Sequence, residues 1–533
     1  MKDRIMEDSR RDLIVGFAGF FVVTALLICA SEGLNSEGLY LLEFKKGVHD
    51  GFNFLGNWNS SDQTPCGWKG VNCSSDPKNP VVVSISLALL NLSGTLGPSI
   101  CNLANLAELN VSNNKFTGNI PKEIGNCLRL ESLYLNNNQF DGQIPSELGN
   151  LPSLTWLNLC NNKISGPIPE EVGKLSSLEL FLAYSNNISG PLPVSLVNLK
   201  NMRIFRVGDN FISGSIPSTI SRCENLEFLG LALNNLTGNI PKEIGMLKSL
   251  TDLILWNNEL TGFIPKEIGN CTNLQTLALY ENKLVGEIPG EIGNIKSLTI
   301  LYLYLNGLNG TIPTQIGNLS LATEIDFSSN YLSGEIPSEL GQIQGLSLLF
   351  LFGNQLTGII PDELGTLSQL DRLVLSDNKL SGNIPAALGN LSHLTNLQLG
   401  GNLLSGGIPA ELGALTGLQM LNLSHNVLSG RIPAQLGNLI MLKQLVLNNN
   451  DLSGEIPRLC GGPVGGCNGN PSSCSMHPCL KGGLSATWAN IITRHEGAIG
   501  VVSLVLIVIL LHLMRHRLLE LVCCKCKSEA MVN

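Results

Sequence analysis

A glycine recurs every 24 residues from Gly94 to Gly454, sixteen times and without a slipped interval. An asparagine stands four residues ahead of each, from Asn114 to Asn450, and only the first repeat departs, with Leu90 in that place. A period this strict excludes an ordinary globular core, although 533 residues would otherwise suggest several domains. The chain must stack one short unit on copies of itself. Such an array offers one long repeated surface and no catalytic pocket, so binding is the function class it predicts. Repeats are numbered here by their glycines, Gly94 in repeat 1 and Gly454 in repeat 16.

One unit runs Leu130-x-x-Leu133-x-Leu135-x-x-Asn138-x-Phe140-x-Gly142-x-Ile144-Pro145. The Leu-x-Leu step has period two and predicts a short strand with one buried face. A buried asparagine needs hydrogen-bond partners, and one every 24 residues predicts a ladder along the stack. Ile-Pro or Leu-Pro follows the glycine in fifteen repeats; repeat 1 has Leu96-Gly97 instead. Proline cannot continue a strand ladder, so the chain must turn away there.

These positions, from residue 83 to 457, resemble the plant extracellular leucine-rich repeat. The resemblance implies an α/β fold: a right-handed superhelical solenoid of about 16 repeats with a parallel sheet on its concave face. At ~4.8 Å per strand the array would run roughly 70 Å. Residues 31–82 would form an amino-terminal cap. An amphipathic helix is expected from Ser36 to Val48, followed by Trp58 and by Cys66-Gly67-Trp68…Cys73, which resembles the cap of plant leucine-rich-repeat receptors and implies the pair Cys66–Cys73. Leu459-Cys460-Gly461 and Cys467 resemble a reduced carboxy-terminal cap pair within 458–496. Cys474 and Cys479 could pair with each other or reshuffle with those two, and a zinc reading of Cys467, Cys474, His477 and Cys479 is disfavoured by irregular spacing. Cys101, Cys127, Cys160, Cys223 and Cys271 stand singly in the array and are expected to be small core fillers.

Residues 1–30 contain an apolar run from Leu13 to Ala30 after Arg10 and Arg11, which reads as a signal peptide, with an uncleaved anchor as the alternative. Residues 497–514 are uncharged and, at ~1.5 Å per residue, long enough to cross a bilayer. Arg515, His516 and Arg517 follow, which predicts a single pass through the plasma membrane with the amino terminus outside and 515–533 as a cytosolic tail. Cys523, Cys524 and Cys526 in that tail are candidates for palmitoylation or inert thiols. Export also fits eleven Asn-x-Ser/Thr sequons. Asn59, Asn72, Asn91, Asn187, Asn235, Asn270, Asn309, Asn318 and Asn390 are the candidate glycosylation sites. Asn110 and Asn422 would place a glycan on the strand face.

Counting from the asparagine as zero, strand residues at −7, −6, −4, −2 and −1 should face outward and those at −8, −5 and −3 inward. The outward aromatic residues are Tyr134, Trp156, Tyr184, Phe228, Trp256, Tyr280, Tyr302, Tyr304, Phe350 and Phe352, all in repeats 3 to 12. They are either a binding strip or, for some, cross-strand pairs packed on each other. Eleven acidic residues (Glu108, Glu131, Glu179, Asp209, Glu227, Asp252, Glu281, Glu324, Asp326, Asp371, Asp377) face four basic ones (Arg203, Arg206, Arg372, Lys443). This predicts a negative trough favouring a cationic ligand. Arg203 and Arg206 beside Asp209 are candidates to grip a peptide carboxylate, as arginine pairs do in related receptor kinases; a plain Arg206–Asp209 surface pair is the alternative.

The resemblance is closest to ectodomains of plant leucine-rich-repeat receptor-like kinases, but the 533 residues carry no glycine-rich loop with Val-Ala-Ile-Lys, no His-Arg-Asp and no Asp-Phe-Gly. No enzymatic activity, cofactor or metal is expected, and the net charge of −9 argues against nucleic acid. The expected function is a membrane-anchored, receptor-like protein that binds an extracellular peptide or protein and signals through a co-receptor leucine-rich-repeat kinase. The alternatives are a decoy or dominant-negative truncated receptor kinase, an inhibitor of secreted wall-degrading enzymes, and the product of a decayed gene.

Overall fold

The computed structural model describes residues 33–454, apart from 77, together with the short strand Ser475–Met476. The signal segment, Cys460, Cys467, Cys474, Cys479, the apolar run and the tail lie outside the described residues. Among the described residues no helix is long and apolar enough to cross a membrane.

Each repeat contributes a three-residue inner strand at −6 to −4, such as Asp252–Ile254, paired in parallel with its equivalents 24 residues away on both sides. The pairing runs in single file from Val82–Ser86 to Gln444–Val446. At one end Val71–Cys73 lies antiparallel to Val82–Ser86, and at the other Ser475–Met476 lies antiparallel to Gln444–Val446. The sheet is therefore open, with both edges covered against further strand pairing. The leucines at −8, −5 and −3 are fully buried, as at Leu130, Leu133 and Leu135. Phe116 and Phe140 stack within this core, as do Phe181 and Phe205.

The helical part of the expected α/β fold takes a different form. Among the described residues, the chain makes a five-residue 3-10 helix after each Ile-Pro or Leu-Pro, such as Lys266–Asn270, with Pro265 at its N-cap at φ −65°. Five residues are too few for a stable α-helix, whereas the tighter 3-10 turn suits them. The described α-helix is Ser36–Lys46 in the cap, two residues shorter than expected; Asn35 caps it by accepting from the Gly38 N–H at 2.9 Å. Successive 3-10 turns approach so closely that a Cβ on Gly269 would lie 2.3 Å from the Glu291 carbonyl oxygen. A second set of short parallel strands, not anticipated from the sequence, runs along the flank after the asparagine, as at Asn235–Asn239 and Glu259–Thr261.

The asparagine ladder exists, and it reaches backward along the stack. Asn258 Nδ2 donates to the Leu255 carbonyl of its own repeat at 3.1 Å and to the Leu231 carbonyl of the preceding one at 3.0 Å. Its Oδ1 accepts from the Leu236 N–H of the preceding repeat at 3.0 Å. A second ladder lies at −7, where Thr155, Thr251, Thr299, Thr323 and Ser347 each donate a hydroxyl to the carbonyl 24 residues earlier. No repeat is complete without its neighbour, which is the physical content of the period.

Candidate ligand-binding face

The inner strands set the concave face, and the residue at −1 shapes its edge. That residue is left-handed in every repeat, from Leu89 (φ 62°) through Asn257 (φ 52°) to Asn449 (φ 56°). Asparagine, aspartate and glycine tolerate this conformation, which explains their prevalence at −1, while Leu233 and Leu305 hold it under strain (φ 56° and 52°). The side chains at −1 therefore turn along the edge of the sheet and bond one another. Asn137 donates to Asn113 at 2.9 Å, Asn161 to Asn137 at 2.6 Å, and Ser185 to Asp209 at 2.8 Å.

The aromatic residues stand on the outward side of the sheet, apart from the leucine interior, but they divide into two groups. Tyr134, Trp156, Tyr184, Phe228 and Phe352 are half-buried and reach the open face. Trp256, Tyr280, Tyr302, Tyr304 and Phe350 are at most 9% exposed because their neighbours cover them. Trp256 stacks on Tyr280 at 5.1 Å and Tyr280 on Tyr304 at 4.3 Å, a continuous rib across repeats 8 to 10. Strands about 4.8 Å apart hold rings of one column near stacking distance. The cross-strand packing reading thus holds for the second group, while the first group leaves rings open on the face.

Reading only aromatics and charges missed the aliphatic part of the same face. Leu180, Leu182, Ile254, Leu348 and Val374 occupy outward positions and are buried among their neighbours. Leu348, Phe350 and Val374 form a cluster of their own, with Phe352 against it. The signal was available in the −6 and −4 columns, which are mostly apolar from repeat 5 to repeat 13, with Arg206, Asp252, Glu324, Asp326 and Arg372 set among them.

Arg203 is exposed and makes a two-pronged contact with Glu227, Nε at 2.9 Å and Nη2 at 3.0 Å, with Glu179 at 3.9 Å on its other side. Arg206 is not the surface cation envisaged in an Arg206–Asp209 pair. It is 7% exposed, its guanidinium 4.7 Å from the Phe228 ring centre and 5.1 Å from that of Tyr184. The acidic residues are also engaged. Glu281 accepts from Asn257, Glu324 from Tyr302, Glu108 from Ser84, and Asp371 from Thr395 and Arg372. Lys443 donates to Gln419.

Asp326 is the outlier. It lies at −4 in repeat 11, its strand between those carrying Tyr302 and Phe350, and is 3% exposed. Burial pushes its carboxyl up to about 7 against the pull of hydrogen bonds from the Ser328 N–H and hydroxyl, with Glu324 raising it further. Asn110 and Asn422 make the same two bonds from the same position, to Ser112 and Ser424. Their amide oxygens are thus committed inside the face. The nine other sequon asparagines are exposed. Cys66 and Cys73 form the expected disulfide, and the five array cysteines are buried thiols.

The leucine-rich-repeat N-terminal domain family matches residues 34–74, and the Leucine Rich Repeat family matches nine stretches between 105 and 439. A probable leucine-rich repeat receptor-like protein kinase of Arabidopsis thaliana is 54% identical over 104 residues, 18% of this chain and 9% of that relative. The chain therefore aligns with less than a tenth of the length of that relative. Among solved structures, the PEPR1–AtPEP1 crystal structure is similar at 34% identity and a TM-score of 0.66, over 80% of this chain and 67% of that one. The Arabidopsis receptor kinase HAESA, in complex with the peptide hormone IDA and the co-receptor SERK1, is similar at 30% identity and a TM-score of 0.55, over 80% of this chain and 91% of that one. With its cap, its sixteen registered repeats and an open parallel sheet like those of these ectodomains, the chain belongs to the plant leucine-rich-repeat receptor-like family.

Proposed function

We propose that this protein is the ligand-sensing component of a cell-surface receptor, binding an extended peptide along repeats 3 to 12 and signalling through a partner co-receptor kinase. The observation that carries the reading is the concave face. Its partly open aromatics lie beside an apolar floor on a rigid, unbroken sheet, with the 533 residues holding no kinase catalytic domain. Nine strand intervals of ~4.8 Å make about 43 Å, the reach of an extended peptide of about 13 residues. HAESA binds a peptide hormone and a co-receptor, which supports the same arrangement here. Anchoring by 497–514 would hold receptor and co-receptor in one membrane and raise their effective concentration. Within the face, Tyr134, Trp156, Phe228 and Phe352 would contact the ligand directly, while the Trp256–Tyr280–Tyr304 rib would keep the floor rigid beneath it.

The test is capture of secreted peptides on the immobilised ectodomain, followed by titration of whatever binds. Trp156→Ala and Phe352→Ala should each weaken binding about tenfold or more, the cost of losing a buried aromatic anchor, and convex-face exchanges such as Glu243→Ala should not. Binding that survives both concave exchanges and fails with the convex one would end the reading.

A further inference from the structure

Glycine holds the seventh place after the repeat glycine in most repeats, because the next 3-10 turn leaves no room for a side chain. A Cβ would lie 2.3 Å from the Glu147 carbonyl oxygen at Gly125 and 2.4 Å from that of Glu171 at Gly149. Repeat 1 places Cys101 there, at the end of the 3-10 turn Pro98–Asn102. Its side chain meets Cys127 of repeat 2.

The ninth place after the glycine is Cys127 in repeat 2, and two other repeats show where a thiol at that place points. Cys223 Sγ lies 3.2 Å from the Leu196 carbonyl oxygen, and Cys271 Sγ lies 3.3 Å from that of Ile244. Both acceptors sit 27 residues earlier, in the preceding repeat. For Cys127 the equivalent residue is Ile100, the immediate neighbour of Cys101. The two thiols thus converge from adjacent turns, near enough for Cys127 to bear on the ionisation of Cys101. In the structure both are thiols, both buried in the first turns of the core.

We propose that Cys101 and Cys127 are joined by a second disulfide that stitches repeat 1 to repeat 2. The oxidant is an oxidised dithiol catalyst of the secretory compartment. Its S–S bond and two protein S–H bonds break, one protein S–S bond and two catalyst S–H bonds form, and two electrons pass to the catalyst. The contact with Cys127 and burial both raise the Cys101 thiol, so thiolate is scarce once the turns have closed. The bond is accordingly made while repeats 1 and 2 are still docking, and the folded protein neither gains nor loses it readily. Its place is functional: with Cys66–Cys73 in the cap, it secures the end of the array where one-sided stacking is weakest.

The test uses the full chain secreted from eukaryotic cells, alkylated in denaturant without reductant, stripped of glycans and cut with trypsin. The expected product is the peptide 79–115 joined to 123–129, two hydrogens lighter than the sum of the two. In Cys127→Ser the peptide 79–115 should instead appear alone with Cys101 alkylated. Recovery of both wild-type peptides separately, each alkylated, overturns the proposal, as does linkage of either cysteine to a different partner. Because the wild-type map alone decides the matter, failure of the variant to fold leaves the answer intact.

Discussion

Replacing Asp326 by asparagine should change the pH dependence of stability by an amount that follows from its burial. The folded carboxyl titrates at about 7, against an ordinary value of 3.8. Between those values the folded chain keeps a proton that the unfolded chain releases. Stability is therefore lost as pH rises through this window, is fully present below ~4, and changes little above ~7. At about 1.36 kcal/mol per unit, the stretch from pH 5 to pH 8 is worth about 2.6 kcal/mol. Asparagine keeps both oxygen-accepted bonds, as Asn110 and Asn422 demonstrate with Ser112 and Ser424 at the same position, and it has no carboxyl to titrate. The assay is urea denaturation of both proteins from pH 4 to pH 8, read by tyrosine and tryptophan fluorescence. The exchange writes an Asn-x-Ser sequon with Ser328, so both should be made in a host without N-glycosylation. The Asp326→Asn protein should gain on wild type steadily as pH rises, by about 2.6 kcal/mol between pH 5 and pH 8. Parallel pH profiles would show that Asp326 is ionised in the fold and that the reasoning about its burial is mistaken.

Asn258→Ala strips partners from two carbonyls and one N–H in the interior, and should cost at least about 3 kcal/mol by urea denaturation. Gly269→Ala drives a Cβ to 2.3 Å from the Glu291 carbonyl oxygen and should lower the melting temperature by several degrees, whereas an alanine at exposed Lys266 should not. Leu305→Asn relieves a left-handed leucine (φ 52°) and should raise stability by about 1 kcal/mol. If the bound peptide is cationic, as the acidic residues of the face suggest, its association rate should fall between 50 mM and 500 mM salt while dissociation changes little, measured by surface plasmon resonance.

The period was legible because every position in it answers a demand that one repeat makes on the next. Leu133, Asn138 and Gly142 carry that demand in their residue type alone. The concave face was legible only as a list of positions. Whether Tyr280 is an anchor or a brace depends on what stands 24 residues away, and Trp256 and Tyr304 happen to sandwich it, while Phe352 has no such partner in repeat 13, where Ser376 occupies the column. Arg206 shows the same dependence: between Tyr184 and Phe228 it becomes part of the floor, while Arg203, three residues away, remains in solvent between two glutamates. In a repeat protein the local rule fixes where each side chain starts, and the columns, read across repeats instead of along the chain, decide which of them remain free to touch a ligand. The left-handed residue at −1 makes the point for the backbone: asparagine, aspartate and glycine recur there too unevenly to announce a conformation within any one repeat, yet sixteen aligned copies show it plainly. A sequence of this kind is therefore best read as a grid, and the grid here places the freest aromatic surface in repeats 3, 4, 5, 7 and 12, flanking a self-packed centre. A peptide that gripped only the centre would find the rings already occupied, so the ligand's own anchoring side chains should fall toward its two ends.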